Sequence, residues 1–557
     1  MKNRLLVFAF LIVALPATAP VAALAQTTDT RGREFFISFL PNYGSGAETE
    51  TSDMRIYLSS SVVTVATVTD NSTGASRRVE LPVPLEVVEV DLDEIFGNGI
   101  ELQTGTPDTL TRKSIMVQAD DEITLSGVSV RGKSADAFVA YPTDVLRGRN
   151  WVMAYGNGFA TPGEYDMPSE FAIIAIEDET AVEIIPSTKL NGRPAHEPYM
   201  ITLSRGEVYF AQAELGGDND VTGTEINATL PVAVFGGNRR TSIPRSLGNF
   251  RDHLVEQIPP TDAWGTDVIV APFFTVEPLS TDIAVVRILS GDYENSWSID
   301  GVFQGTLERG IFVDVPLTRA MRITAAASIL VAQYDHSSGT DQTGSQSRLG
   351  DPCMMIVPAV DNYDTVYAFQ SIPHPEFTRH FITVVAPSVS IASLRLDGAT
   401  VNTASFRLIQ GTTYSYAQIE LPSGAHLIRG DSAFGVQVYG YGVATSYAYT
   451  GGFVFRRLIT GVEIENAPAA GPLSGIFPNP VAGISARILL RLDHGSPVTI
   501  DILDSRGDIV LRPLSGIYHD AGTHDIIIDI ASLPSGSYHV RTVAGDRSDQ
   551  RPLLITR

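Results

Sequence analysis

Cysteine is almost absent. Among 557 residues there is one, Cys353, so no intramolecular disulfide can staple the fold, and stability has to come from packed apolar cores or bound ions. Tryptophan is scarce at three residues, and positive charge is short: 39 Lys and Arg stand against 63 Asp and Glu, a formal net charge of −24. The acidic residues are spread along the chain and form no tail, a distribution that repels nucleic acid and anionic membranes and excludes both as partners. After the N-terminal leader no apolar run reaches the roughly 18 residues of a spanning helix. Helical periodicity is missing between residues 32 and 460, as are Gly-x-Ser-x-Gly, His-Glu-x-x-His and phosphate-loop patterns.

What is present begins with a leader. Met1-Lys2-Asn3-Arg4 is a basic start, Leu5 to Leu15 an apolar core, and Ala23-Leu24-Ala25 a small-x-small cleavage signal before Gln26. This predicts a signal peptide over 1–25, cut between Ala25 and Gln26, and Sec-type export through the periplasm. Losing Lys2 and Arg4 takes the mature charge from −24 to about −26.

Between 32 and 460 the pattern is period-2 alternation with β-branched residues and Gly, Asn or Asp turns, which predicts strands and hairpins. Stretches at 123–132, 230–238, 328–336 and 434–442 resemble one another. Aligning Val130, Val234, Val331 and Val438 gives four repeats of roughly 100 residues, the size of a β-sandwich. The first three each close in a proline-aromatic element: Tyr141-Pro142 running to Trp151, Pro259-Pro260 to Trp264, and Pro358 to Tyr363. The fourth lacks it and runs through Gly451-Gly452-Phe453 towards a linker at 461–474, as a terminal copy that ends an array. The expected fold is all-β, with tandem sandwich-like repeats over 26–460.

Candidate chemistry is thin. Asp252-His253 with Glu256 is the sharpest hydrolase candidate, since a histidine beside two acids can act as base or ligand; the alternative is a turn that docks on the next repeat with His253 held by hydrogen bonds. Cys353, flanked by His336, His374 and His380, reads as a small core residue in a run of apolar neighbours. Asp218-Asn219-Asp220 gathers hard oxygen ligands in a glycine-flanked loop and is the candidate for a structural calcium ion, with Asp120-Asp121-Glu122 a second acidic cluster; no other cofactor is expected. Tyr414, Tyr416, Tyr439, Tyr441, Tyr447 and Tyr449 crowd the fourth repeat. Tyrosine gives rigid amphipathic contact area suited to ligand recognition, but it also covers sandwich cores, and Tyr439 and Tyr441 share a strand face.

Two resemblances follow. Pro478-Asn479-Pro480, a turn at Asp504-Ser505-Arg506-Gly507 and the hairpin motif Leu533, Pro534, Gly536, Tyr538 occur in order after the linker. This tail is similar to the C-terminal sorting domain of the bacterial type IX secretion system. The resemblance implies an immunoglobulin-like sandwich over 475–557, the secretion machinery as a partner, and removal of the tail on release or attachment at the cell surface. Residues 32–455 resemble the N-terminal domain of the IgG Fc-binding protein family through 32–43, 137–144, 170–175, 252–260, Gly350-Asp351-Pro352 and 435–442. The chain departs from animal members in lacking their cysteines, around Asn238-Arg239-Arg240 and before Asp252, so a surface held by those disulfides is not preserved. The resemblances imply an exported adhesion or ligand-binding protein for an extracellular protein or glycan, without catalysis and without a transmembrane helix. A secreted hydrolase and a self-assembling surface component are the alternatives.

Overall fold

The computed structural model describes residues 29–42, 52–97, 101–102, 109–157, 167–245, 250–276, 283–338, 348–455, 473–477, 481, 484–492, 494–504, 509–545 and 547–555. Ala25, Gln26, Pro478, Asn479, Pro480 and Gly507 lie outside them. Two compact units divide between Thr460 and Gly461.

The first unit is built four times on one plan. Each repeat has a long strand: Ile115–Arg131, Glu225–Thr241, Met321–Tyr334 and Gly424–Gly442. Its first half pairs with one set of neighbours and its second half with another. In the first repeat Gly32–Ile37 and Thr64–Asp70 flank the first half, while Asp53–Ser60 and Ser134–Val139 flank the second. The same scheme recurs in the other three, giving sheets of seven, eight, seven and eight strands. One strand thus serves both layers of a sandwich, and its alternating apolar residues face the core of each layer in turn. Glycine in these strands makes room for rings. Gly127 pairs with Phe138 and Gly440 with Tyr447, and a Cβ at either position would stand 2.4 or 2.3 Å from the ring.

The structure corrects the repeat register at both ends. The residue before each of the three closing elements, and Gly451 in the fourth repeat, is held by the carbonyl of, or pairs with, Leu125, Val234, Val331 and Val436, so these four are equivalent. Val130 is five positions out, on the opposite face, and Val438 is two out; strand chemistry is too uniform to fix register by itself. The closing elements are short 3-10 turns, Thr143–Val145, Thr261–Ala263 and Val360–Asn362, each entered in extended backbone. Their following residues are Leu146, Trp264 and Tyr363, so the first repeat uses Leu146 where Trp151 was expected.

A second correction concerns the end of the array. The repeats close on themselves. Strands Ser134–Val139, Asp252–Ile258, Met354–Val357 and Thr445–Thr450 pack side by side in a ring, the fourth against the first. Beyond the fourth, Val454 bonds to the carbonyl of Asn362 and bridges Asp29 at the start of the unit. Tyr141 lies edge-on to Phe453 and Phe455, with ring centres 5.5 and 5.7 Å apart.

Four inner edge strands facing one another bring N–H groups without ladder partners into a buried centre, which is costly unless acceptors are supplied. Buried carboxylates supply them. Asp136 accepts from the N–H of Val255 (3.2 Å), Met354 (3.1 Å) and Ala448 (3.2 Å), one from each of the other three repeats, and from Ala137. Asp252 accepts from Ala135 and Ser446, and Glu256 from Ile356. Burial pushes all three carboxyl groups well above their ordinary range, against the pull of these hydrogen bonds.

Asp351, at the same centre, is raised from 3.8 to about 7 by burial, with the Ser338 N–H, Arg240 and His336 opposing and Asp335 adding to the rise. A carboxyl that keeps its proton in the native state but loses it near pH 4 when unfolded contributes stability at low pH. That contribution is lost as pH rises from about 4 through about 7. His253 and His380, lowered from 6.5 to about 4 by burial, act oppositely and cost stability as pH falls from 6.5 towards 4. Asp351→Asn is therefore expected to flatten the decline of Tm between pH 4 and 7; parallel melting curves for variant and wild type would count against it.

In the second unit two sheets, of three and four strands, enclose a core of Ile488, Ile500, Ile528 and Val540. Its first strand, Leu473–Phe477, begins two residues inside the predicted linker; 461–472 lie outside the described residues.

Candidate functional site

A cleft of about 470 Å³ opens between the second and third repeats. Trp151 ends the strand Arg147–Trp151, and its cross-strand partner is Glu225 at the start of the long strand, so an indole and a carboxylate share one wall. Opposite them runs the third repeat's turn through Arg309 and Gly310. Two glycines permit that approach: a Cβ on Gly223 would lie 2.2 Å from the Gly310 carbonyl oxygen, and one on Gly310 would lie 2.6 Å from the Trp151 ring. Both have positive φ, +85° and +76°, where a side chain would be strained. The Arg309 guanidinium is ion-paired with Glu225 and lies 5.2 Å from the centre of the Trp151 ring and 5.8 Å from that of Tyr293.

Beneath the cleft Arg287 is fully enclosed. It donates to Asp220 (2.7 Å), Thr222 (2.9 Å), the Ala154 carbonyl (2.8 Å) and, through two nitrogens, Asp314 (2.8 and 2.9 Å). Phe312 and Tyr155 lie against it at 4.0 and 4.7 Å. At the mouth, Tyr293 and Ile311 are 59% and 53% exposed, unusual for large apolar side chains placed together. Inside, the Trp151 Nε1–H and the Arg309 Nε–H are enclosed without a hydrogen-bond partner. Such a donor costs about 1–3 kcal/mol until an acceptor reaches it.

The sequence candidates fall elsewhere or in altered roles. Of the acidic loop, Asp218 is exposed and pairs with Arg245 (2.9 Å), Asn219 bonds to the carbonyls of Glu214 and Gly216, and Asp220 holds Arg287. The three side chains serve three different partners instead of converging on a cation position. Asp121, in the second cluster, approaches Arg33 at 3.5 Å. Among the described residues the carboxylates of Asp53, Asp91 and Asp93 do converge, but Arg55 already bonds to Asp53 and stands 3.7 Å from Asp91.

Four of the six tyrosines are inside the fold. Tyr439 accepts from the Phe274 N–H, Tyr441 donates to Asp335, Tyr447 accepts from the Ile372 N–H, and Tyr449 donates to the Gln370 carbonyl. Their hydroxyls bond inside the fold, so of the two readings these four take the one that covers sandwich cores. Tyr414 and Tyr416 are half-buried, with Tyr414 edge-on to Tyr363.

The segment 252–258 is a buried strand, not a turn, and its alternation puts His253 on the face opposite Asp252 and Glu256. His253 meets the Arg239 carbonyl through Nδ1 (3.3 Å), while both acids hold the neighbouring inner strands. Cys353 is wholly buried, and its thiol is pushed well above 9.0 by burial. His336, His374 and His380 bond to Asp335, Asp53 and Tyr447 respectively, with no pairing to the thiol. In the second unit Leu533 is buried, and the Tyr538 hydroxyl donates back to the Pro534 carbonyl (3.0 Å), which explains the spacing from Pro534 through Gly536 to Tyr538.

The sequence does not group Trp151, Glu225, Tyr293 and Arg309, because they come from two strands of the second repeat and two turns of the third. Gly223 and Gly310 meet across the cleft, but the positive φ of each already accounts for a glycine in its own turn, so neither points to the other in the sequence.

Comparison with known proteins adds identity. The human IgGFc-binding protein is 23% identical over 452 residues, which are 79% of this chain and 8% of that protein, so the chain spans a small part of its relative. Among solved structures, a tetra-tandem repeat from the extending region of a large adhesion protein is 11% identical and aligns over 78% of this chain and 95% of that one, with a TM-score of 0.12. The immunoglobulin domains 1–5 of Sidekick-1 align over 95% and 99% at 10% identity and a TM-score of 0.10. Among the described residues no helix is long and apolar enough to cross a membrane. Residues 475–556 match the secretion system C-terminal sorting domain, which marks the chain for export to the cell surface or beyond. Residues 136–440, more than half of the sequence, match the IgGFc binding protein family, and the chain belongs to that family.

Proposed function

We propose that the protein is an exported adhesion or ligand-binding protein, delivered through the type IX machinery, whose first unit holds an extracellular protein or glycan at the cleft between the second and third repeats. The observation that carries this reading is the cleft itself. Two large apolar side chains stand exposed at its mouth, over a floor fixed by the Arg287 network. Rigid scaffolds with an aromatic rim are what recognition sites need, since little ordering has to be done on binding. The groups considered for hydrolysis, His253 and Cys353, are buried away from that opening, which favours binding without catalysis. A structural calcium ion is not required by this reading, because protein groups already hold the Asp218–Asp220 loop.

The test is to present the full chain to a glycan array, a panel of mucins and immunoglobulins. Selective binding at micromolar affinity or better, weakened by Tyr293→Ala, is the expected outcome. Silence on every surface, with spontaneous assembly into oligomers, would replace this reading with that of a structural component.

A further inference from the structure

We propose that the cleft between the second and third repeats is a carbohydrate site, in which a neutral sugar stacks on Tyr293 and brings hydroxyl oxygens to the enclosed N–H groups of Trp151 and Arg309. This rests on the binding reading above and names its ligand class.

Charge is the first argument. Three carboxylates border the cleft, and each is paired with a guanidinium: Asp218 with Arg245, Asp220 with Arg287, and Glu225 with Arg309. A site built for a cation would leave a carboxylate free, and one built for an anion would leave a guanidinium free. Here the carboxylates and guanidinium groups are matched, with His196 the other basic side chain on the lining, and the ligand that fits them is neutral. The second argument is the pair of donors without acceptors. Trp151 is 3% exposed, and its Nε1–H has no partner; neither has the Arg309 Nε–H. An acceptor oxygen answers them, and a sugar hydroxyl accepts there while donating to the outer lone pairs of Glu225 or Asp220.

Third is the rim. Tyr293 offers an exposed aromatic face at the mouth, and pyranose rings present an apolar C–H face beside polar edges. Protein partners favour broad, flat patches of about 800 Å² on each side. This opening is a cleft of about 470 Å³ whose polar groups run from the exposed Asp218 to the enclosed Asp220.

Arg309 is the part that moves. Its side chain is 26% exposed, and its guanidinium lies over the Trp151 ring. A sugar entering along Tyr293 displaces it sideways and uncovers the indole edge. The arginine is therefore a positioning residue as well as a donor.

The experiment is titration of the exported full chain with the best glycans from an array, for wild type, Tyr293→Ala and Trp151→Phe. Trp151→Phe keeps an aromatic ring and removes only the N–H. Tyr293→Ala changes an exposed residue, so folding is not at issue; thermal melts check Trp151→Phe. Tyr293→Ala is expected to weaken sugar binding about tenfold, and Trp151→Phe about fivefold, with tryptophan fluorescence of the wild type shifting on saturation. Glycan binding unchanged in both variants would overturn the site. Binding to proteins stripped of glycans, with no glycan bound, would overturn the ligand class and leave the binding reading standing. No binding to glycan or protein would remove both.

Discussion

Asp136→Ala should destabilise the first unit by about 4 kcal/mol or more. The loss leaves the buried N–H groups of Val255, Met354 and Ala448 without their acceptor. Asp136→Asn should recover part of the loss, because the amide keeps one accepting oxygen but turns an NH2 towards the donors that the other oxygen served. The pattern of damage is the sharper readout. The three donors belong to three different repeats, so amide exchange at all of them should accelerate together. Loss of protection confined to 134–139 would show that each repeat holds without the central carboxylate.

Arg287→Met is the second large effect, expected to cost about 3–5 kcal/mol in equilibrium denaturation. It leaves Asp220 and Asp314 facing each other without their shared cation, and strips partners from Thr222 and the Ala154 carbonyl. Arg287→Lys should fall between. An ammonium keeps the charge but cannot place two parallel N–H bonds on Asp314 while also reaching Asp220. Because Asp220 and Phe312 border the cleft, both variants should weaken ligand binding as well as folding. A methionine variant as stable as wild type would mean that the two carboxylates find other partners.

The strand chemistry was legible in the sequence, and so was most of the tail. Alternation at 498–503 and 486–490 marks strands that the structure extends by a residue or two. The strand Ile509–His519 was missed: it lies at a sheet edge with Ile517 and Tyr518 exposed, so its pattern does not alternate between core and solvent. The repeat was legible as a period but not as a register, since Val-rich strands match one another at several offsets.

What the sequence could not show was closure. Nothing local to Gly451-Gly452-Phe453 says that the next residues return to Asp29, and a missing proline looks the same whether an array stops or joins its own start. The acids at 252 and 256 carry a signal that reads as candidate chemistry, and Asp136 carries one that was not singled out from the sequence. A charged residue inside an otherwise apolar strand suggests chemistry, and here its task is to accept neighbouring backbone. The cleft was hidden for the related reason that its residues come from different repeats.

Joining the last repeat to the first has a consequence for the order of events as the chain is made and exported. In an open stack each unit gains its neighbour as soon as that neighbour appears, and stability accumulates step by step. Here strand Ser134–Val139 waits for Thr445–Thr450, some 300 residues later. Until the Ala448 N–H arrives, the Asp136 carboxylate has one donor fewer than it was placed to satisfy. The native centre is therefore completed in one late step by the far end of the unit. A chain cut short anywhere before Val454 is left with an open seam, not a smaller version of the same protein.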